Sequence, residues 1–218
     1  MQKTLNATKT RIPILLALII VSLTEVIFRI VAFGKAALET ANAGEQVTII
    51  AFAALILFFS AKGNDKVSYI SCGALIAYFV MDQLFELPGI IGNLIANISE
   101  PIIAISISIR LLTMIGIVVM SGLLVEYVND GSIYNRAYKA TYWITIILYV
   151  ASIALSVSGL VIPVSSAGAF DAAEIAVLKN QNVLIIFNDA ARILMVLLFT
   201  SFAYDSANRQ LKREKLTK

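Results

Sequence analysis

The 218-residue chain contains no histidine and a single cysteine. Histidine is the usual proton shuttle at neutral pH and the commonest metal and haem ligand. Its absence argues against histidine-dependent membrane proteases, lipid phosphatases and haem-carrying bundles. The lone Cys72 excludes an intrachain disulfide, a Cys-x-x-Cys motif and a thiolate zinc site. It lies in an apolar run, where a small buried hydrophobe is expected. Charge is also scarce, at 14% of residues, roughly half the share of a soluble domain. So few polar groups cannot coat a soluble fold, which excludes a soluble enzyme, a disordered tail and a nucleic-acid module. No Walker phosphate loop, dinucleotide fingerprint, His-Glu-x-x-His or Gly-x-Ser-x-Gly motif is present. No cofactor and no catalytic residue are therefore expected, and any ATP-driven step needs a partner subunit.

What remains is apolar. Hydrophobic residues make up 59% of the chain, and its mean hydropathy is +0.87. A membrane helix takes about 20 mainly apolar residues. Six runs qualify: Ile12 to Phe33, Val47 to Ala61, Val67 to Phe85, Ile102 to Val128, Ala140 to Val164 and Val183 to Tyr204. The second is short and must borrow length from Glu45 and Gln46. Lipid supplies no hydrogen bonds, so each run must satisfy its own backbone as a helix. The expected fold class is all-α, a polytopic membrane bundle of six transmembrane helices forming one integral membrane domain over residues 1–218. The first run follows a basic segment but is too long, and too charged at Glu25 and Arg29, for a cleaved signal peptide. In size and span count the chain is similar to the substrate-binding membrane subunits of energy-coupling-factor vitamin transporters. That likeness concerns architecture alone and assigns no residue.

Basic residues orient such a bundle. With the N-terminus inside, the inner segments hold Lys3, Lys9, Arg11, Lys62, Lys66, Arg136, Lys139 and a basic tail over residues 205–218. The outer connections hold only Lys35 and Lys179, against Glu39, Glu45, Glu86, Glu100, Asp171 and Glu174. This predicts both termini in the cytoplasm and location in the cell membrane. The inner connections look like turns at Gly63-Asn64-Asp65 and Asn129-Asp130-Gly131-Ser132. The outer ones predict short interfacial helices: residues 36–43, residues 90–98 after a turn at Pro88-Gly89, and residues 171–180.

The informative residues are those that membranes penalise. Glu25, Arg29, Asp82, Arg110, Asp189 and Arg192 lie within the runs, each costing roughly 2.5–3.5 kcal/mol if left unpaired at mid-membrane. All six fall in the outer half. Glu25 and Arg29 share a helix face, as do Asp189 and Arg192. Stripes of Ser68, Ser71, Tyr78 and Asp82, and of Ser106, Arg110 and Thr113, complete a pattern able to converge. The first, third, fourth and sixth spans are thus expected to line an outward-open polar cavity. Its candidate ligand-binding residues are Glu25, Arg29, Tyr78, Asp82, Gln83, Arg110, Asn188, Asp189 and Arg192. Arginine suits planar recognition of carboxylate or phosphate, so a small anionic or zwitterionic solute is the expected partner, besides the bilayer and a membrane or ATPase subunit. Transport, or solute binding for transport, is the leading function. The alternative is a membrane sensor, accessory or immunity subunit in which Glu25–Arg29, Asp189–Arg192 and Asp82–Arg110 are structural ion pairs. In the fifth span, Ser152, Ser156 and Gly159 form an uncharged stripe suited to close packing.

Overall fold

The structure, a computed structural model, describes residues 2–34, 41–99, 101–130, 135–161 and 172–216. Six helices account for nearly all of them: α1 Gln2–Phe33, α2 Ala41–Ala61, α3 Asp65–Ala96, α4 Pro101–Asp130, α5 Asn135–Val161 and α6 Ala172–Leu216. No strand occurs among the described residues. Each helix contains a stretch long and apolar enough to cross a membrane, such as Arg11–Phe33 in α1 and Ile175–Tyr204 in α6. The bundle's perimeter is correspondingly apolar, with Ile20, Val31, Phe85, Trp143 and Ile147 all well exposed. So much exposed apolar surface suits a lipid solvent rather than water.

Among the described residues, α6 packs against α1, α3, α4 and α5, while α1, α2, α3, α4 and α5 contact one another in chain order. α6 is therefore the hub. Alternating helix directions put the start of α1 and the end of α6 at one end of the bundle. That end is tightly closed. Arg11 is buried with its guanidinium carbon 4.0 Å from the centre of the Phe202 ring and 5.5 Å from that of Tyr69. Ser60 and Ser68 share a 2.6 Å hydrogen bond across α2 and α3. Tyr138 and Thr200 join α5 to α6 at 2.7 Å. Leu15, Leu18, Ile56, Leu75, Met195 and Phe199 fill the core between these ties, and Cys72 joins them as a buried hydrophobe. The expected inner turn is present: Gly63 takes φ 71°, a conformation open to glycine, and the Asn64 side chain caps α3 by accepting from the Val67 backbone N–H.

Other boundaries differ from expectation. α3 does not turn at Pro88-Gly89 but runs on to Ala96 with Pro88 inside it. The buried face explains this, since Leu75, Phe79, Gln83 and Ile90 stay in one helical phase across the proline. Residues 90–96 are thus the end of α3 rather than a separate interfacial helix. Likewise residues 172–180 open α6, and the 205–216 segment is its helical continuation. Asn129 and Asp130 finish α4, whereas Gly131 and Ser132 lie outside the described residues, as does most of the 36–43 segment.

Candidate functional site

At the end remote from the Arg11 clamp, the helices part around a cavity of about 550 Å³. Its walls follow from helical spacing. α6 presents Gln181, Leu184, Ile185, Asn188, Asp189 and Arg192, one face at three- and four-residue intervals. Arg29 and Phe33 face it from α1, Ser106, Ile107, Arg110 and Thr113 from α4, and Ser152 from α5. At about 1.5 Å per residue, the α6 wall is roughly 16 Å long, half the thickness of a hydrocarbon core. Burial grades along it. The Arg110 side chain is 48% exposed, whereas those of Arg29 and Arg192 are 9% and 4% exposed. Below Arg192 the Phe79 ring lies 5.8 Å from the guanidinium carbon and packs in turn against Phe199. Aromatic core therefore closes the floor.

All three arginines of the polar half share this cavity. Each is held from behind by a carboxylate that does not line it. Arg29 donates to Glu25 at 2.8 Å within α1. Arg110 donates to Glu86 of α3 at 3.1 Å. Arg192 contacts Glu45 of α2 at 3.4 Å, with both side chains buried. Each contact uses a terminal guanidinium nitrogen, NH2, and the Nε atoms of Arg29 and Arg192 have no partner among the described residues. Asp189 is the sole carboxylate among the described lining residues. It is 7% exposed, Ser152 stands beside it, and its Oδ2 has no partner among the described residues, like Oδ1 of neighbouring Asn188.

The structure thus brings together Arg29, Arg110, Asn188, Asp189 and Arg192 of the sequence-derived set, with Glu25 directly behind Arg29. Tyr78, Asp82 and Gln83 are not among the residues that line the cavity. Tyr78 neighbours Thr48 and Glu45, and Asp82 accepts from Gln83 at 3.4 Å. α5, not α3, supplies the fourth wall. Its Ser152 lines the cavity instead of serving close packing, while Ser156 is buried and Gly159 lies under Asn182 of α6.

Two expected ion pairs are replaced. Arg192 pairs with Glu45 rather than with Asp189, and Arg110 with Glu86 rather than with Asp82. Glu45 and Glu86, read from sequence as outer-loop acids, are helix residues, and Glu45 is buried. Both had a readable signal. A 15-residue second run cannot span about 30 Å of hydrocarbon, so it had to draw Glu45 inward. Glu86 follows Asp82 by one helical turn in a run whose apolar phase continues beyond it. Comparison with known proteins finds no matching family, no matching curated protein and no matching solved structure.

Proposed function

We propose that this chain is an integral membrane protein that binds a small anionic or zwitterionic solute for transport. The bundle crosses the cell membrane with both termini in the cytoplasm, and the arginine-lined cavity faces the outside. The single observation supporting the solute site is the gathering of Arg29, Arg110 and Arg192 around one cavity, with their counter-carboxylates placed behind them. Ion pairs that served only to hold helices together would be packed against apolar neighbours. Here they border a space whose volume falls in the usual range for small-molecule sites. The apolar floor and the tied opposite end suit a site that is accessible from one side at a time. The orientation rests on the basic residues of the inner segments. An energy-supplying subunit, if one is used, docks from outside the bundle, since the chain carries no nucleotide motif.

The rival reading, a sensor, accessory or immunity subunit with structural charges, draws on one observation: every arginine of the cavity already has a carboxylate partner. Thermal unfolding of the detergent-purified protein against a panel of anionic and zwitterionic metabolites separates the two. A true ligand at about a hundred times its dissociation constant adds about 2.7 kcal/mol of stability. Arg110→Ala and Arg192→Ala, tested one at a time, are expected to lose that response. If both variants fold and respond to every solute as the parent does, the site reading fails and the rival stands.

A further inference from the structure

The charge pattern narrows the ligand class further, resting on the solute-binding reading above. Around the cavity, three arginines stand with five carboxylates among the described side chains: Glu25, Glu45, Asp82, Glu86 and Asp189. Pairing Glu25, Glu45 and Glu86 with the arginines leaves Asp82 and Asp189. Asp82 lies outside the cavity and takes a hydrogen bond from Gln83. Asp189 lies on the cavity wall, nine-tenths buried; Ser152 and the charges of Arg192 and Arg110 act on it. The ion-pair contact of Arg192 nevertheless goes to Glu45, and no donor among the described residues reaches Oδ2 of Asp189. Its free Oδ2 and the free Oδ1 of Asn188 are two buried acceptors without donors. A buried anion is tolerated only when a cation and hydrogen-bond donors meet it. A purely anionic ligand would supply neither.

The same cavity carries the opposite deficit, since Arg29 and Arg192 keep donors without acceptors at Nε. Phe33, Ile107, Leu184 and Ile185 give the same cavity an apolar part of its lining. We propose that the cavity takes a zwitterion with a protonated amine, a carboxylate and an apolar substituent, in the manner of an α-amino acid. The amine, with its N–H donors, sits against Asp189 and Asn188. The carboxylate meets the arginine donors, and the apolar substituent fills the space toward Phe33 and Ile107.

Three probes with one apolar body test this: leucine, leucinamide, which lacks the carboxylate charge, and 4-methylpentanoate, which lacks the amine. Binding is read by thermal shift and calorimetry on the intact protein in detergent. Leucine is expected to bind at least about tenfold more tightly than either single-charge probe, since leucinamide lacks the carboxylate for the arginine donors and 4-methylpentanoate lacks the amine for Asp189. Asp189→Asn is expected to weaken leucine by about thirtyfold and to leave 4-methylpentanoate within about threefold. If 4-methylpentanoate equals leucine and Asp189→Asn changes nothing, the site is an anion site. The zwitterion assignment then falls while the solute-binding reading survives. Leucinamide equal to leucine makes it an amine site and also overturns the assignment. No response to leucine, glycine or phenylalanine overturns it too, leaving the wider metabolite panel to judge solute binding itself. Should Asp189→Asn fail to fold, the three probes on the parent protein decide alone.

Discussion

Glu45→Ala is the most informative single substitution for the electrostatics of the bundle. Arg192 and Glu45 bury their side chains to 4% and 2% exposure, and they come from α6 and α2, far apart in sequence. Removing one member of such a pair strands the other charge, at a cost of about 3–5 kcal/mol. The contact is 3.4 Å long, beyond the roughly 2.7–2.9 Å of a strong charge-assisted bond. That places the loss at the lower end, about 3 kcal/mol. Replacing both residues with methionine removes the buried charges together and keeps most of the volume. The double variant should be near neutral, or more stable by about 1–4 kcal/mol. The Arg110–Glu86 pair supplies the contrast. Its side chains are 48% and 25% exposed, so Glu86→Ala should cost no more than about 1 kcal/mol. Equilibrium unfolding in mixed micelles, followed by circular dichroism, measures all of these on one scale. Equal losses for Glu45→Ala and Glu86→Ala would refute the argument from burial. So would a double-methionine variant as unstable as Glu45→Ala.

Packing and reactivity give further expectations. A Cβ at Gly116 would stand 2.5 Å from Oγ1 of Thr145 and 3.5 Å from its Cβ, so Gly116→Ala should lose about 1–3 kcal/mol by overpacking. Adding Thr145→Ala should restore most of that loss in the same unfolding assay, because only the hydroxyl is too close. At Gly159 the near atom is the amide nitrogen of Asn182, 2.6 Å away at the end of a movable side chain. Gly159→Ala should therefore cost under about 1 kcal/mol. Cys72 is 2% exposed, and a thiol packed in apolar surroundings is inert. Native protein should resist maleimide labelling, whereas unfolded protein labels fully; rapid labelling of the native state would contradict its placement in the core.

The six helices were legible because length and apolarity are properties of a run, summed over many residues. Boundaries were less so, because Pro88 reads locally as a turn. Only the phase of Gln83 and Ile90 on a buried face reveals that α3 continues. The gathering of Arg29, Arg110 and Arg192 was also legible, since three costly charges in the same half of their spans have few places to go. Their partners were not. Helical spacing makes Asp189 the nearest acid to Arg192, but the choice of Glu45 depends on where the bundle sets α2 relative to α6. That is a tertiary relation with no trace in either segment alone. Ser152 shows the same limit. A serine on an otherwise uncharged helix suits packing and lining equally well, and only the parting of α4, α5 and α6 decides between them.

Everything functional depends on water reaching the arginine-lined cavity from outside the cell. Ser106 lines it from α4 and is exposed, and the buried Cys72 need not be removed. Ser106→Cys should be modified by a charged, membrane-impermeant thiol reagent added to intact cells, with no reaction at Cys72 in the unsubstituted protein. A cysteine at position 106 that reacts only from the cytoplasmic side, or only after unfolding, would contradict the account.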